Sequence, residues 1–303
     1  MSPPEPQPVT RAGPSRGAAF LSQMATESAR RASAARARRP EQELRRQALD
    51  RPAARRLRLS PSGFDLICEV KFRSPSEGPL AGAPRLAGRR DPEAASLQAR
   101  GYAEAGACAI SVLTEPTAFH GSLEHLRRVS ARSSVAVLRK DFLVDPYQVW
   151  EARAEGADGV LLVARIVDDR RLTELLDACA EADLFPLLES FDRADLERSS
   201  RALAGRPHQR TLVGVNNRDL ERLSIELERC TELARWLPAG FPAVAESGLG
   251  RGRDAALVAQ HGYSLALVGT ALMRSAEPGE LVRSMLRAGR AARAQRTNGG
   301  GPA

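Results

Sequence analysis

Residues 66 to 78 read Leu-Ile-Cys-Glu-Val-Lys-Phe-Arg-Ser-Pro-Ser-Glu-Gly, a short apolar strand that carries two charges and then breaks. Glu69 and Lys71 are two residues apart, so their side chains point to the same face of a strand. If that face is the interior of a closed barrel, burying both charges is costly unless they pair or serve a function. The Ser-Pro-Ser-Glu-Gly that follows predicts a turn. A functional site at the end of this strand is therefore expected.

Lysine is rare in this chain. Of 45 basic residues, only Lys71 and Lys140 are lysines, and the other 43 are arginines. Such a bias predicts arginine wherever positive charge alone is required, so the two lysines indicate a task that arginine cannot perform. Proton donation is such a task, because burial can lower the pKa of an ammonium whereas a guanidinium stays charged. The alternative is two ordinary surface lysines, but both residues follow short apolar strands.

Composition favours a single large α/β domain with an extension. The chain has 303 residues, is 43% hydrophobic, and contains no apolar run long enough to span a bilayer. Its cysteines are Cys68, Cys108, Cys179 and Cys230. They lie on apolar segments without paired spacing, which predicts buried free thiols in a reducing cytoplasm. Its histidines are His120, His125, His208 and His261. They are interpreted as loop or surface residues without ligand spacing, so no metal site is predicted.

The net charge of +8 is confined to the N-terminal region. Residues 1 to 58 hold 13 arginines and 5 acids, whereas residues 59 to 303 hold 32 basic and 32 acidic residues. Residues 1 to 19 are predicted to be a disordered tail, and residues 20 to 60 a helical extension broken at Pro40. The basic arm leaves a nucleic-acid-binding function open as an alternative, although no aromatic residues interleave its arginines. A transit peptide is a further alternative.

Short apolar strands alternate with amphipathic helices from residue 64 onward. Strands are predicted at 66–70, 108–113, 135–138, 159–163, 184–188, 211–215, 241–245 and 264–268. Helices are predicted at 92–106, 122–133, 146–156, 168–182, 192–204, 225–236, 251–261 and 278–293. This pattern predicts a (β/α)8 TIM barrel over residues 61 to 293, with residues 294 to 303 as a disordered tail. A doubly wound open sheet is the alternative, but no G-x-G-x-x-G loop follows an early strand.

Polar and small residues follow the predicted strands. Functional residues of such barrels lie at the C-terminal strand ends. The candidates are Glu69, Lys71, Ser74, Thr114, Glu115, Phe119, Lys140, Asp141, Glu189, Asn216, Asn217, Arg218, Glu246, Ser247, Gly248, Gly269 and Thr270. Small residues after the seventh and eighth strands predict a phosphate site, because backbone N–H groups must approach phosphate closely. Each candidate, considered by itself, could instead have a purely structural role in an ion pair, a helix cap or a turn.

Several runs of sequence occur together in a fixed order. They are 69–78 (EVKFRSPSEG), 111–115 (SVLTE), 119–122 (FHGS), 138–142 (LRKDF), 214–220 (GVNNRDL), 245–248 (AESG) and 268–273 (VGTALM). Together they resemble the indole-3-glycerol-phosphate synthase family of tryptophan biosynthesis, over roughly residues 20 to 290. The resemblance implies a lyase that closes a pyrrole ring on 1-(2-carboxyphenylamino)-1-deoxyribulose 5-phosphate, with loss of carbon dioxide and water and without a cofactor. It also implies that the helical extension lies over the barrel mouth.

The resemblance assigns roles to the candidates. Lys140 is implied as the general acid toward the ketone oxygen, and Glu189 as a base or electrostatic stabiliser. Lys71, paired with Glu69, is implied to hold the substrate carboxylate or to act as a second acid; which lysine serves which step stays open. Substrate binding is implied for Asn216, Arg218 and Glu246 (hydroxyls and carboxylate), Phe119 and Leu267 (aromatic ring), and Ser74, Ser247, Gly248, Gly269 and Thr270 (phosphate). The expected partner is a phosphorylated small molecule, with no nucleic acid and no membrane, bound by a cytoplasmic monomer or weak homo-oligomer.

The sequence departs from the family pattern at two places. The family usually has a Val-His pair after Glu189, where this chain has Ser190 and Phe191. The segment from 79 to 92 is longer than expected, which leaves loop closure in doubt. A sister barrel, phosphoribosylanthranilate isomerase, is a rival reading that requires a Cys and Asp pair, but Cys68 is predicted to point into the helix layer. A paralogue serving another indole-forming pathway also remains open.

Overall fold

Eight parallel strands close into one barrel in the computed structural model, which describes residues 16–74, 78–79, 85–86, 89–206, 211–218 and 225–298. The strands are β1 (Asp65–Val70), β2 (Ala109–Leu113), β3 (Ala136–Lys140), β4 (Gly159–Val163), β5 (Phe185–Ser190), β6 (Leu212–Asn216), β7 (Ala243–Glu246) and β8 (Leu265–Val268). Each strand pairs with its neighbours in the chain, and β1 closes the barrel by pairing with both β2 and β8. The predicted TIM barrel is confirmed, and the open doubly wound sheet is excluded.

Helices cover the barrel, and two further helices precede it. The helices are α1 (Arg16–Arg38), α2 (Glu41–Leu49), α3 (Pro92–Glu104), α4 (Leu123–Arg132), α5 (Pro146–Ala154), α6 (Asp169–Glu181), α7 (Arg193–Leu203), α8 (Glu228–Leu233), α9 (Gly252–Gln260), α10 (Thr270–Arg274) and α11 (Pro278–Asn298). Residues 16–19 and 294–298 are therefore helical, where the sequence predicts disordered tails. Helix α8 is shorter than the predicted helix at 225–236, because the chain tightens into a 3₁₀ turn at Ala234–Trp236.

The side chains of the strands alternate between two apolar layers. On β1, Leu66, Cys68 and Val70 pack in the outer layer against the helices, whereas Ile67 packs inside the barrel. Glu69 follows Ile67 by two residues and is also buried. Cys68 thus points into the helix layer, as predicted, away from the face that carries Glu69.

The N-terminal extension lies across one end of the barrel. Pro40 occupies the cap position before α2, which confirms the predicted break. Leu21 of α1 packs with the residues inside the barrel, and the Phe20 ring meets Phe142 edge-on at a centroid distance of 6.1 Å. Met24 is also buried. Helix α1 therefore covers the end of the barrel at which β3 finishes.

Two predictions about reactive side chains have different outcomes. All four cysteines are free thiols, as predicted, and three of them are buried, whereas Cys108 is half-buried where the sequence predicted burial. His125 is not a surface residue, because it is buried and its ring stacks on Phe72 at 4.1 Å. His208 and half of the segment 79–92 lie outside the described residues. No helix in the described part of the chain has the length and apolar character needed to cross a bilayer.

Gly159, at the start of β4, makes room for an aromatic ring inside the barrel. It pairs with Phe185 of β5, and a Cβ at position 159 would lie 2.5 Å from carbon atoms of that ring. Phe185 is buried and belongs to the inner layer, so its ring has little space into which to move.

We expect Gly159→Ala to lower the free energy of unfolding by about 1–3 kcal/mol, because a packed core resists added volume. Urea unfolding followed by circular dichroism measures the change. Gly101→Ala is the matched control, since position 101 lies in helix α3 and a Cβ added there would have no neighbouring atom within 4 Å. That control should gain about 0.5–1 kcal/mol from helix propensity. Equal stability of the Gly159→Ala and wild-type proteins would contradict this account of the core.

Candidate functional site

A cavity of about 810 Å³ opens at the C-terminal ends of the strands, beneath α1. Every residue to which the resemblance assigns a catalytic or binding role lines this cavity except Ser74, whose side chain lies outside the described residues. The lining residues so predicted are Glu69, Lys71, Phe119, Lys140, Glu189, Asn216, Arg218, Glu246, Ser247, Gly248, Leu267, Gly269 and Thr270. Residues from β1, β3 and β5 to β8, and from the loop after β2, thus meet in one place.

The carboxylate of Glu69 joins the two lysines of the chain. Lys71 Nζ lies 3.0 Å from Glu69 Oε1, and Lys140 Nζ lies 3.3 Å from Glu69 Oε2. Glu69 is 3% exposed, so burial opposes its negative charge, but the two ammonium groups outweigh burial and lower the pKa of Glu69. The cluster is therefore one carboxylate held between two cations at the floor of the cavity.

The pKa of Lys140 moves in the direction opposite to the one expected from burial. Burial disfavours the ammonium, but the carboxyl groups of Glu69, Glu189 and Glu246 favour it and raise the pKa of Lys140 above its ordinary value. The expectation that burial lowers the pKa of a lysine here is therefore wrong for Lys140. The sequence could not give this result, because the three acids come from three other strands.

Glu189 and Glu246 form a second acidic group beside Lys140. Asn216 Nδ2 donates a hydrogen bond of 2.7 Å to Glu189 Oε1, whereas neither carboxyl oxygen of Glu246 meets a donor among the described residues. Burial raises the pKa of Glu189, and burial together with the charge of Glu189 raises the pKa of Glu246 well above its usual range. A proton held by one of these carboxyls relieves their repulsion and lets the protonated group donate to the other.

Two glycines, Gly214 on β6 and Gly269 directly after β8, create the space for Glu246 and Glu69. A Cβ at Gly214 would lie 2.1 Å from Glu246 Oε1, and a Cβ at Gly269 would lie 2.4 Å from Glu69 Oε1. Any side chain at either position would displace a carboxyl group. Gly269 therefore has a packing role, in addition to any contact with a ligand predicted from its place after β8.

The turns after β7 and β8 present backbone groups to the cavity. Ser247 and Gly248 have positive φ angles of 66° and 85°, and a non-glycine residue in this region is uncommon. Asn217 holds the turn, because its Nδ2 donates to the Ser247 carbonyl at 3.0 Å. After β8, the short helix α10 begins at Thr270. The sequence singled out both asparagines, but Asn217 supports a loop whereas Asn216 contacts an acid of the site.

Part of the cavity lining is apolar. Besides Phe119 and Leu267, this part includes Phe20, Leu21, Phe142 and Phe191, which the sequence did not predict as binding residues. Phe191 is buried, and the Arg165 guanidinium lies 4.9 Å from its ring centre. The departure from the family pattern at Ser190 and Phe191 was the feature of the sequence that could have pointed to Phe191 as a cavity residue. Ser190 bonds to the Ser199 hydroxyl, whereas Phe191 contributes to the cavity wall.

Three other strand-end candidates shape the loops. Glu115 accepts the N–H groups of Thr117, Ala118 and Phe119, and Asp141 accepts the Thr114 hydroxyl at 2.8 Å. Thr114 and Glu115 do not line the cavity, whereas Asp141 lines it and also pairs with Arg139. Within the described ranges, no group of three histidine, cysteine or acidic side chains is arranged to bind a metal ion. The site offers two ammonium groups, four buried acidic side chains (Glu69, Asp141, Glu189 and Glu246) and several aromatic rings to a ligand.

Solved structures with this fold bind different substrates. The chain superposes on 3-hexulose-6-phosphate synthase from Salmonella typhimurium with a TM-score of 0.57 at 13% identity, covering 77% of this chain and 99% of that one. It superposes on orotidine 5'-phosphate decarboxylase from Pyrococcus horikoshii with a TM-score of 0.54 at 14% identity, covering 74% and 99%. At these identities the likeness establishes the barrel fold alone.

Sequence comparison is more specific. Residues 20–285 match the family model described as indole-3-glycerol phosphate synthase. Proteins with that name from Rhizorhabdus wittichii and Salinibacter ruber are 39% and 40% identical, covering 80% and 76% of this chain and 83% and 80% of theirs. The protein of that name from a Nocardioides species is 44% identical over 74% of this chain and 80% of its own length. The chain therefore belongs to the indole-3-glycerol phosphate synthase family, the carboxy-lyases of tryptophan biosynthesis.

Proposed function

We propose that this protein converts 1-(2-carboxyphenylamino)-1-deoxyribulose 5-phosphate into indole-3-glycerol phosphate, carbon dioxide and water. The observation that carries the proposal is the meeting of Lys71 and Lys140 at Glu69, in a cavity with an aromatic wall. Such a cavity suits a substrate with an aromatic ring, a carboxylate and a phosphate. No cofactor is needed, because each step only transfers protons or makes and breaks bonds within the substrate, with no net oxidation or reduction.

Lys140 is the general acid for ring closure. The ring carbon that bears the carboxylate attacks the ketone carbon, and the ketone oxygen takes a proton from the Lys140 ammonium as its negative charge develops. A raised pKa does not prevent this transfer, because the alkoxide that forms is far more basic than an amine. The acids around Lys140 keep it charged and ready to donate at neutral pH.

Lys71 binds the substrate carboxylate and then assists dehydration. Its ammonium is held at 3.0 Å by Glu69, which fixes its position before substrate arrives. When the carboxylate leaves as carbon dioxide, the ammonium loses its partner in the substrate. It can then protonate the hydroxyl formed at the former ketone carbon, which departs as water.

Glu189 accepts the last proton. Loss of water creates a cationic ring, and removal of a proton from the adjacent methylene carbon forms the pyrrole. Glu189 is oriented for this role by Asn216, while burial and the charge of Glu189 raise the pKa of the neighbouring Glu246. Glu246 and Arg218 orient the hydroxyls of the substrate. The phosphate is bound by Ser247, Gly248, Gly269 and Thr270, together with Ser74.

We further propose that the protein works in the cytoplasm, as a monomer or weak homo-oligomer, on a small molecule and without nucleic acid. Free cysteines suit a reducing compartment. The arginines of the N-terminal region that pair with barrel carboxylates are Arg31, Arg36, Arg39, Arg45 and Arg55. These contacts give the basic arm a structural purpose within the molecule, which favours the enzyme over a nucleic-acid-binding protein.

The direct test is to mix the purified protein with the carboxyphenylamino-deoxyribulose phosphate and follow indole fluorescence, with carbon dioxide release measured in parallel. The proposal requires both signals at equal rates. A protein that produced neither under any buffer condition, while remaining folded, would refute it.

Lys140→Arg should keep the fold and the charge yet reduce kcat by about 10²–10⁴-fold, because a guanidinium is a poor proton donor at neutral pH. Steady-state kinetics measures the loss. Arg100→Lys on the exposed face of α3 is the control for arginine–lysine exchange and should leave kcat unchanged. Near-normal turnover by Lys140→Arg would show that another group donates the proton.

Glu246→Gln should raise the free energy of unfolding at pH 8, and the gain should shrink as the pH falls toward 4.5. A carboxyl whose pKa is raised on folding lowers the free energy of unfolding at any pH above the pKa that the same carboxyl has in the unfolded chain. It does so because the unfolded state releases that proton more readily. Urea unfolding at several pH values tests this. Glu104→Gln, whose side chain is 69% exposed, is the control and should show no such gain. A gain that is the same at pH 5 and pH 8 would rule out the raised pKa of Glu246.

A further inference from the structure

The guanidinium of Arg31, on α1, lies between two buried carboxylates of the barrel. Arg31 Nη2 is 2.8 Å from Asp141 Oδ1, and Arg31 Nη1 is 3.4 Å from Glu115 Oε1. The acidic side chains are 2% and 0% exposed, and the Arg31 side chain is 29% exposed. Arg31 does not line the cavity, so it cannot touch a ligand bound there.

Each carboxylate shapes a loop that carries an aromatic ring of the cavity. Glu115 accepts the backbone N–H of Phe119 at 3.0 Å, and Asp141 accepts the backbone N–H of Phe142 at 2.9 Å. Asp141 also directly follows Lys140 in the chain. A single guanidinium therefore fixes the loops after β2 and β3 relative to each other.

The same helix supplies a third ring. Phe20 and Arg31 are 11 residues apart, which is close to three turns and places them on one face of α1. Phe20 meets Phe142 at 6.1 Å, and Phe142 lies 6.2 Å from Phe119. The row Phe20–Phe142–Phe119, which we term the aromatic row, lines the cavity. One of its rings stands on the helix of Arg31, and the other two stand on the loops that Arg31 joins.

We propose that Arg31 is a positioning residue that assembles the aromatic row and thereby sets the affinity of the protein for the ring of its substrate. This inference rests on the proposed function, because that function supplies the aromatic ligand. The Lys140 ammonium is held independently of Arg31, by Glu69 on β1. Loss of Arg31 should therefore weaken binding of the ring without removing the proton donor.

The two carboxylates keep other partners when Arg31 is replaced. Asp141 retains Arg139 and the Thr114 hydroxyl, and Glu115 retains its three backbone N–H donors. Arg31→Met should therefore fold. Arg36→Met is the matched control, since Arg36 lies on the same helix but pairs at 2.6 Å with Asp145, the N-cap of α5, and not with the two acids that accept the N–H groups of Phe119 and Phe142.

The experiment compares Arg31→Met, Arg36→Met and the wild type in steady-state kinetics and in binding of anthranilate, followed by anthranilate fluorescence. Arg31→Met should raise KM, and the dissociation constant for anthranilate, about tenfold while kcat changes less than about twofold. Arg31→Lys, which keeps the charge but lacks the fork that reaches both acids, should recover part of the affinity. Arg36→Met should match the wild type in all three quantities.

Unchanged KM and anthranilate affinity in Arg31→Met would overturn the proposal, as would an equal loss in Arg36→Met. Loss of kcat with KM unchanged would also overturn it, because Arg31 would then act on the chemistry. If the wild type bound anthranilate but did not convert the substrate, the proposed function would fail, and the anthranilate titration alone would still decide the role of Arg31. If Arg31→Met did not fold, Arg31→Gln would serve for the same comparison.

Discussion

The buried carboxylate of Glu69 is the interaction on which the site depends. A carboxylate in the interior of a barrel is strongly unfavourable alone, and here two ammonium groups at 3.0 and 3.3 Å offset that cost. Removing either lysine would leave the carboxylate with one partner, and removing Glu69 would leave two like charges close together. Gly269 completes the arrangement, because only a residue without a side chain leaves room for the carboxylate. The positions of the two ammonium groups are therefore set by contacts within the protein itself.

The same constraint organises the second acidic group. Lys140 also faces Glu189 and Glu246, whose carboxyls cannot both be charged at low cost in a buried site. Burial and their mutual repulsion raise the pKa of both carboxyls, and Gly214 leaves the space that the Glu246 carboxyl occupies. The site thus combines an ammonium whose pKa nearby acids raise with carboxyls whose pKa burial raises, which suits the proton transfers of the proposed mechanism.

The sequence predicted the barrel well because its signals are local: strand length, helix periodicity and polar residues at strand ends. It also predicted the face shared by Glu69 and Lys71, since alternation along a strand is a local property. It did not predict that Lys140 joins the same carboxylate, or that three acids raise the pKa of Lys140, because those contacts join separate strands. The sequence did not single out Arg31 among the other arginines, because Glu115 and Asp141, which it contacts, are distant from it in the chain. Composition could place the excess charge in the N-terminal region but could not show that its arginines pair with barrel acids.

Because the chain has only two lysines, an experiment can test directly whether Glu69 holds both of them in one substrate site. Protein labelled with nitrogen-15 at lysine Nζ gives two side-chain signals in NMR, assigned with Lys71→Arg. We expect indole-3-glycerol phosphate to shift both signals with one midpoint, and Glu69→Gln to lower the pKa of Lys140 relative to the wild type. A titration of Lys140 that is unaffected by Glu69→Gln, or signals that do not respond to indole-3-glycerol phosphate, would show that Glu69 does not hold both lysines in one site.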